Sequence, residues 1–109
     1  MESHRRKLLE YVQDDGRVPF RDWLDSLKDR QARAIVDARL TRGRLGNFGH
    51  FRSVGCGVME LKIDYGRGLR VYLGKDADTV VVLLCGGDKG TQAADIKKAH
   101  VFWSAYKEN

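Results

Sequence analysis

The sequence has little cysteine and almost no proline. Its 109 residues include two cysteines, Cys56 and Cys85, and one proline, Pro19. The cysteines lie far apart in the chain, form no CxxC pair and have no histidine at ligand spacing. This pattern argues against a zinc site and against a disulfide framework. It predicts two reduced thiols in a cytoplasmic protein that uses no metal and no cofactor.

Long apolar runs and familiar catalytic motifs are also missing. No segment approaches membrane-spanning length, and no signal-peptide core follows Met1. The chain has no Ser-His-Asp, HExxH, P-loop or dinucleotide-binding signature. We therefore predict a soluble protein without a membrane partner, whose chemistry has to come from a less common arrangement of residues.

Acidic residues are outnumbered by basic ones. The chain carries 20 Lys and Arg against 15 Asp and Glu, which gives a formal net charge of +5 at pH 7. A positive charge favours a polyanionic partner, such as nucleic acid or an acidic protein. The length and a hydrophobic content of 42% predict one globular domain over residues 1–109.

Apolar periodicity predicts a strand and two helices in the first part of the chain. Residues 1–6 are polar and predicted to be frayed, and the segment 7–12 is predicted to be a strand. Pro19 then opens a short helix, and Asp29 is placed to cap a second helix that ends near Arg42. The first helix has an apolar stripe at helical spacing, formed by Phe20, Trp23, Leu24 and Leu27.

The second part of the chain predicts three or four antiparallel strands and a last helix. A short edge strand is expected at 51–54, and the unbroken apolar run from Thr79 to Cys85 is expected to be the most central strand. The last helix begins at Thr91 and is expected to bury an apolar stripe formed by Ile96, Ala99, Phe102, Trp103 and Tyr106.

Two segments joined by the turn at 66–68 alternate between apolar and polar residues. Successive side chains of a strand point to opposite faces of the sheet. If the segments pair as an antiparallel hairpin, one face collects an acid, two cations and a phenol, namely Glu60, Lys62, Arg70 and Tyr72. We expect the helices to cover only the apolar face, which leaves this polar face open as the first candidate for a site.

Three weaker features accompany this hairpin. The segment Gly86-Gly87-Asp88-Lys89 joins the predicted central strand to the last helix and could cradle a phosphate. His50 follows a glycine-rich segment and could reach the open face, although an ordinary loop histidine is the simpler interpretation. The simpler interpretation of the arginine-rich second helix is a solvated face, formed by Arg30, Arg33, Arg39, Arg42 and Arg44.

Three segments of the chain carry a resemblance to a known family. They read GRVPFRDWLDSLKDRQARAIVDARLTRGRLGNFG, GVMELKIDYGRGLRVYLG and VVVLLCGGDKGTQAADIKKA, and they span most of the chain from Gly16 to Ala99. The sequence resembles the phage-derived Gp49-like, HigB-type addiction-module killer proteins of the RelE/ParE toxin superfamily. The resemblance implies a RelE-like α+β fold, in which a curved antiparallel sheet of about four strands is packed on one face by an N-terminal helical pair and a C-terminal helix.

The same resemblance implies a toxin that is neutralised by a partner antitoxin, expected to be a small helix-turn-helix protein, and that cleaves messenger RNA on the ribosome. The family turn GPGYR is replaced by Gly66-Arg67-Gly68-Leu69-Arg70, and the usual acid after GNFG is His50. Arg70 is the expected phosphate clamp, because a guanidinium binds two phosphate oxygens at once.

The remaining roles are assigned to residues around Arg70. Lys62 and Lys89 are expected to add positive charge, and Tyr72 and Glu60 are rival candidates for acid and base. Expected RNA contacts are Arg67, Asp88 and His50, and expected contacts with the antitoxin or the ribosome are Arg30 and Arg33. Two alternatives stay open: a ParE-like toxin that poisons gyrase without cutting RNA, and an inactive phage-derived interaction domain.

Overall fold

The computed structural model describes residues 5–108, so residues 1–4 of the segment predicted to be frayed lie outside the described part. The elements are β1 (Lys7–Glu10), α1 (Pro19–Ser26), α2 (Arg30–Arg44), β2 (Phe51–Ser53), β3 (Val58–Ile63), β4 (Leu69–Ala77), β5 (Val80–Asp88) and α3 (Gln92–Glu108). A single 3₁₀ turn, Lys89–Thr91, connects β5 to α3. None of the described helices is long and apolar enough to cross a membrane.

The first two helices begin where the sequence predicts them. Pro19 is the first residue of α1, where a missing backbone N–H does no harm. The carboxylate of Asp29 caps α2 by accepting hydrogen bonds from the backbone N–H groups of Gln31 at 2.8 Å and Ala32 at 3.3 Å. Both predicted starts are confirmed, and α2 runs to Arg44.

The sheet has five strands in the order β1-β5-β4-β3-β2. β1 pairs with β5 in parallel, and the other three pairs are antiparallel. The sheet is therefore mixed, with one strand more than the predicted four. The prediction that the apolar run 79–85 forms the most central strand is wrong, since β5 lies next to the edge strand β1 and β4 occupies the middle.

The helices lie on both faces of the sheet. α1 and α2 cover one face, where a core forms around Phe20, Val36, Leu61, Val71 and Leu83. α3 covers the other face, where a second core contains Tyr72, Val82, Leu84, Ala99 and Trp103.

The prediction that all helices cover one face is therefore wrong. Strand β5 explains the difference, because it is apolar on both of its faces. Val81 and Leu83 point into the first core, and Val82 and Leu84 point into the second. A strand of this kind needs cover on both sides. The polar side of the hairpin consequently lies beside α3, and only part of it remains open.

Candidate functional site

Glu60 lies at the centre of a buried hydrogen-bond network on the α3 side of the sheet. It pairs across the sheet with Tyr72, and its side chain is 2% exposed. The Tyr72 hydroxyl donates to Glu60 Oε2 at 2.9 Å, and Gln92 Nε2 donates to the same oxygen at 2.8 Å. Arg52 Nε donates to Glu60 Oε1 at 2.9 Å. The carboxylate thus binds donors from β2, β4 and α3.

These donors hold Glu60 in its ionised form. Burial raises the pKa of Glu60, but the hydrogen bonds from Arg52, Gln92 and Tyr72 more than offset it and leave the pKa below its ordinary value. An ionised carboxylate whose two oxygens already accept three hydrogen bonds is a poor proton acceptor for a substrate. The geometry therefore favours a structural role for Glu60 over its predicted role as acid or base.

Tyr72 is fully buried, and its predicted outward orientation is wrong. α3 covers this part of β4, and the ring packs in the core that contains Val82, Ala99 and Trp103. Burial, followed by the hydrogen bond to Glu60, raises the pKa of Tyr72 well above that of a free tyrosine. The phenol is therefore a neutral hydrogen-bond donor, and the geometry disfavours its predicted role as a base.

Arg70 was also predicted to face outward, and that prediction is wrong, because its side chain is 7% exposed. Its Nη1 donates to the carbonyl of Gly68 at 3.1 Å, and its Nε lies 3.7 Å from Glu60 Oε2. That Nε has no hydrogen-bond partner among the described residues. A buried donor without a partner is uncommon in proteins and requires an explanation.

Arg70 lines an open cleft of about 340 Å³. The other lining residues come from β2 and the loop before it, from β3 and from the start of α3, and they are His50, Phe51, Arg52, Glu60, Lys62 and Gln92. Lys62 pairs with Arg70 across the strands, and its side chain is 53% exposed. The lining thus holds two guanidinium groups, one ammonium group and a single carboxylate that is already bound by donors, while the Lys62 ammonium lies 3.9 Å from Asp64 Oδ1 outside the lining. The cleft suits an anion.

The pairing brings together the four residues that the alternation predicted on one face. Glu60 lies opposite Tyr72, and Lys62 lies opposite Arg70. That part of the prediction is confirmed, although three of the four side chains are buried. His50 is exposed and lines the same cleft, as its predicted RNA contact requires.

Arg39 is buried and holds together two segments that line the cleft. Its side chain is 8% exposed, so the interpretation of this arginine as part of a solvated face is wrong. Its guanidinium donates to the carbonyls of Phe48, of His50 at 2.6 Å and of Lys62 at 2.9 Å. Arg39 thereby ties the loop that carries His50 to the strand that carries Lys62.

The segment 86–89 does not form a phosphate cradle. The backbone N–H groups of Gly90 and Thr91 already donate to the Asp88 carboxylate, at 2.8 Å and 3.2 Å. The two glycines serve close packing. A Cβ on Gly86 would lie 2.2 Å from the Trp23 ring, and one on Gly87 would lie 1.8 Å from Asp95 Oδ2, so the helices on either face approach β5 closely.

The other predicted contacts lie away from the cleft. Lys89 and Arg67 are exposed near the turn before α3, and neither lines the cleft. Arg30 is exposed on α2, on the opposite side of the sheet. Arg33 is half-buried and donates to the carbonyl of Leu27.

Three residues of the site were missed by reasoning from the sequence: Arg39, Arg52 and Gln92. Arg52 lies in the predicted edge strand, where a register of β2 against β3 would have placed it opposite Glu60. Gln92 reaches Glu60 only because α3 packs on this face, and no local pattern signals that arrangement.

Comparison with known proteins identifies a relative. No protein-family model matches the chain. The chain is 48% identical over 88 residues to an uncharacterized protein of Haemophilus influenzae (strain ATCC 51907 / DSM 11121 / KW20 / Rd). The alignment covers 81% of this chain and 89% of that protein. The chain therefore belongs to the same family as this Haemophilus influenzae protein.

Proposed function

We propose that this chain is the toxin of a type II toxin–antitoxin module, of the HigB type within the RelE/ParE superfamily. Its activity is metal-independent cleavage of messenger RNA on the ribosome, which inhibits translation in the cytoplasm. The proposal draws on the three resembling segments, the basic net charge of +5 and the cationic cleft. A RelE-like fold is part of the proposal, and the five-stranded α+β domain is compatible with it.

The observation that carries the proposal is the position of Arg70 in a cleft that it shares with two other cations. Phosphate oxygens are suitable acceptors, because charge-assisted bonds from arginine to phosphate are strong and geometrically specific. Lys62 and Arg52 stand beside Arg70 in the cleft and add charge of the same sign. The arrangement fits an RNA phosphate as the anion bound in the cleft.

Cleavage follows from holding that phosphate. The ribose 2′-oxygen attacks the adjacent phosphorus, the bond from phosphorus to the 5′-oxygen breaks, and a 2′,3′-cyclic phosphate and a free 5′-hydroxyl result. Negative charge accumulates on the phosphorane oxygens in between. Arg70 and Lys62 stabilise that charge, and Arg52 contributes from the rim of the cleft.

Two protons have to move in this reaction, one from the 2′-hydroxyl and one to the 5′-oxygen. Glu60 and Tyr72 are poor candidates for the reasons given above. His50 and Lys62 are the other lining residues whose side chains can transfer a proton, and both are exposed. We assign the proton transfers to this pair. Glu60 instead orients Arg52 and Arg70 through its ion pairs at 2.9 Å and 3.7 Å.

The proposed antitoxin meets a surface outside the cleft. Arg30 is exposed on α2, and it has no catalytic role in this scheme. An antitoxin that docks on α2 inhibits by blocking entry to the ribosome and makes no contact with Arg70. Arg30→Glu should then weaken antitoxin binding, whereas Arg67→Glu, at the turn after β3, should leave it unchanged.

The test of the cleavage activity is expression of the wild-type chain without its antitoxin. We expect growth arrest, with translated transcripts cut inside their coding regions, as measured by primer extension. Arg70→Ala should reduce cleavage by about 10²- to 10³-fold, since one donor to the developing charge is removed.

Two further variants keep the test interpretable, because Arg70 is buried and its loss could unfold the domain. Lys62→Ala removes an exposed cation of the cleft and should reduce cleavage without unfolding. Lys97→Ala removes an exposed cation of α3 outside the cleft and should leave cleavage unchanged. Intact transcripts together with broken, gyrase-bound DNA would overturn the proposal in favour of the ParE-like alternative.

A further inference from the structure

A second cavity, of about 130 Å³, lies on the α2 side of the sheet at the edge strand β2. Its walls are mainly apolar and include Phe48, Phe51, Met59 and Leu61. Two cations, Arg6 and Lys75, and the polar Asn47 also line it. No part of the cleavage scheme uses this cavity.

Phe51 connects the cavity to the cleft, since it lines both. It lies opposite Leu61 in the sheet, and the next residue, Arg52, lies opposite Glu60. Alternation along β2 therefore directs Phe51 towards the cavity and Arg52 towards the cleft. Phe51 is 50% exposed, so half of this large aromatic residue is open to solvent at the edge of the sheet.

The two cations of the cavity make few interactions with the described part of the chain. The Arg6 guanidinium lies 5.3 Å from the centre of the Phe48 ring, and its Nε is buried without a hydrogen-bond partner in the described part of the chain. Lys75 is exposed, and no ion pair among residues 5–108 includes either cation. An occupant with a flat apolar body and a nearby negative charge would match the apolar walls and the two cations of this cavity.

We infer that this cavity binds a nucleobase of single-stranded RNA, from a nucleotide next to the one whose phosphate occupies the cleft. The inference rests on the proposed function for its choice of RNA as the ligand. Bases stack on exposed aromatic side chains, and flanking cations follow the backbone. Phe51 is the stacking surface, and Arg6 and Lys75 supply the positive charge that attracts the adjoining phosphate.

The test is a binding assay by fluorescence polarisation with two labelled probes. One probe is a hexamer of 2′-O-methyladenosine, and the other is the same 2′-O-methyl backbone without bases. The methyl group removes the attacking hydroxyl, so binding is measured without cleavage. Wild type should bind the hexamer with bases more tightly. Phe51→Ala should weaken that binding roughly 5- to 150-fold and leave the abasic probe unaffected.

Two control variants make the result specific. Phe51→Trp keeps a stacking surface and should retain binding of the hexamer with bases. Val101→Ala removes a side chain on α3 that is 65% exposed and should change neither probe. The inference is overturned if Phe51→Ala binds both probes as wild type does, or if it weakens both equally. A loss of antitoxin binding with unchanged RNA binding would overturn it too, since the cavity would then hold a protein side chain.

Failure of this inference is distinguishable from failure of the proposed function. If transcripts are cut in cells but Phe51→Ala retains full affinity for the hexamer, only the inference of a base site is refuted. If wild type prefers the hexamer with bases but cuts no transcript, the proposed nuclease activity is refuted and the inference of a base site is retained.

Discussion

Replacing Tyr72 by phenylalanine should separate the structural role of this residue from a catalytic one. The ring is fully buried and phenylalanine fills the same space, so the substitution removes only the hydroxyl. That hydroxyl donates to a buried carboxylate at 2.9 Å, and hydrogen bonds to charged groups contribute about 1.5–3 kcal/mol. Glu60 keeps the donors Gln92 and Arg52, so we expect Tyr72→Phe to lower the free energy of unfolding by about 1.5–3 kcal/mol.

The assay is urea unfolding followed by tryptophan fluorescence, together with cleavage measured on the folded variant. The slope of the free energy of unfolding against urea concentration should stay constant while the midpoint of unfolding falls. This result would show that stability alone has changed. Tyr106→Phe is the matched control, because that hydroxyl also donates to a carboxylate at 2.9 Å, on Asp76, but at an exposed position. Its effect should stay within about 0.5 kcal/mol.

The cleavage rate of the folded variant distinguishes a structural role of Tyr72 from a catalytic one. A base contributes roughly 10²- to 10⁴-fold to a reaction rate, so a catalytic Tyr72 would make the folded phenylalanine variant nearly inactive. We expect a loss smaller than about tenfold. A stable, folded variant with a loss of about 100-fold or more would refute our reasoning about Tyr72 and restore the phenol as a base.

Two further predictions concern stability. The folded-state pKa of Glu60 lies below its ordinary value of 4.5, so the stability that it contributes is complete above that pH and is lost as pH falls through the folded-state pKa. Glu60→Gln should therefore lose less stability than wild type on acidification, as urea midpoints at neutral pH and at about pH 3.5 would show; equal losses would contradict it. Gly86→Ala should destabilise by about 1–3 kcal/mol, since its Cβ would lie 2.2 Å from the Trp23 ring, and an unchanged melting temperature would rule out that packing.

Local patterns predicted the helices well. The proline at the start of α1, the capping Asp29 and the apolar stripes are all encoded within a few residues of where they act. The alternation of β3 and β4 likewise predicted the partners of the hairpin, because a short turn leaves few registers for two neighbouring strands.

The side of the sheet on which a helix packs is not encoded locally. The stripe of α3 shows that it buries a face, but not which face of the sheet it covers. The polar residues of the hairpin were therefore expected to be open, whereas Glu60, Arg70 and Tyr72 are buried, with Tyr72 packed against α3 and Glu60 bonded to Gln92 at the start of that helix. The contact of Gln92 with Glu60 depends on this packing, since the two residues lie 32 positions apart, and one of the three carbonyls that Arg39 binds, that of Lys62, lies 23 positions away.

The hydrogen-bond partners of Glu60 are widely separated along the chain, and this separation sets the order in which the cleft can form. Its donors lie at positions 52, 72 and 92, so the carboxylate acquires its last partner only after most of the chain has been synthesised. Contacts between distant residues form late, because closing the intervening chain costs entropy before the contact stabilises it. A nascent chain that ends before α3 would thus contain Arg70 and Lys62 without the helix that completes their surroundings. Packing of α3 against the sheet is then the step that completes the lining of the cleft.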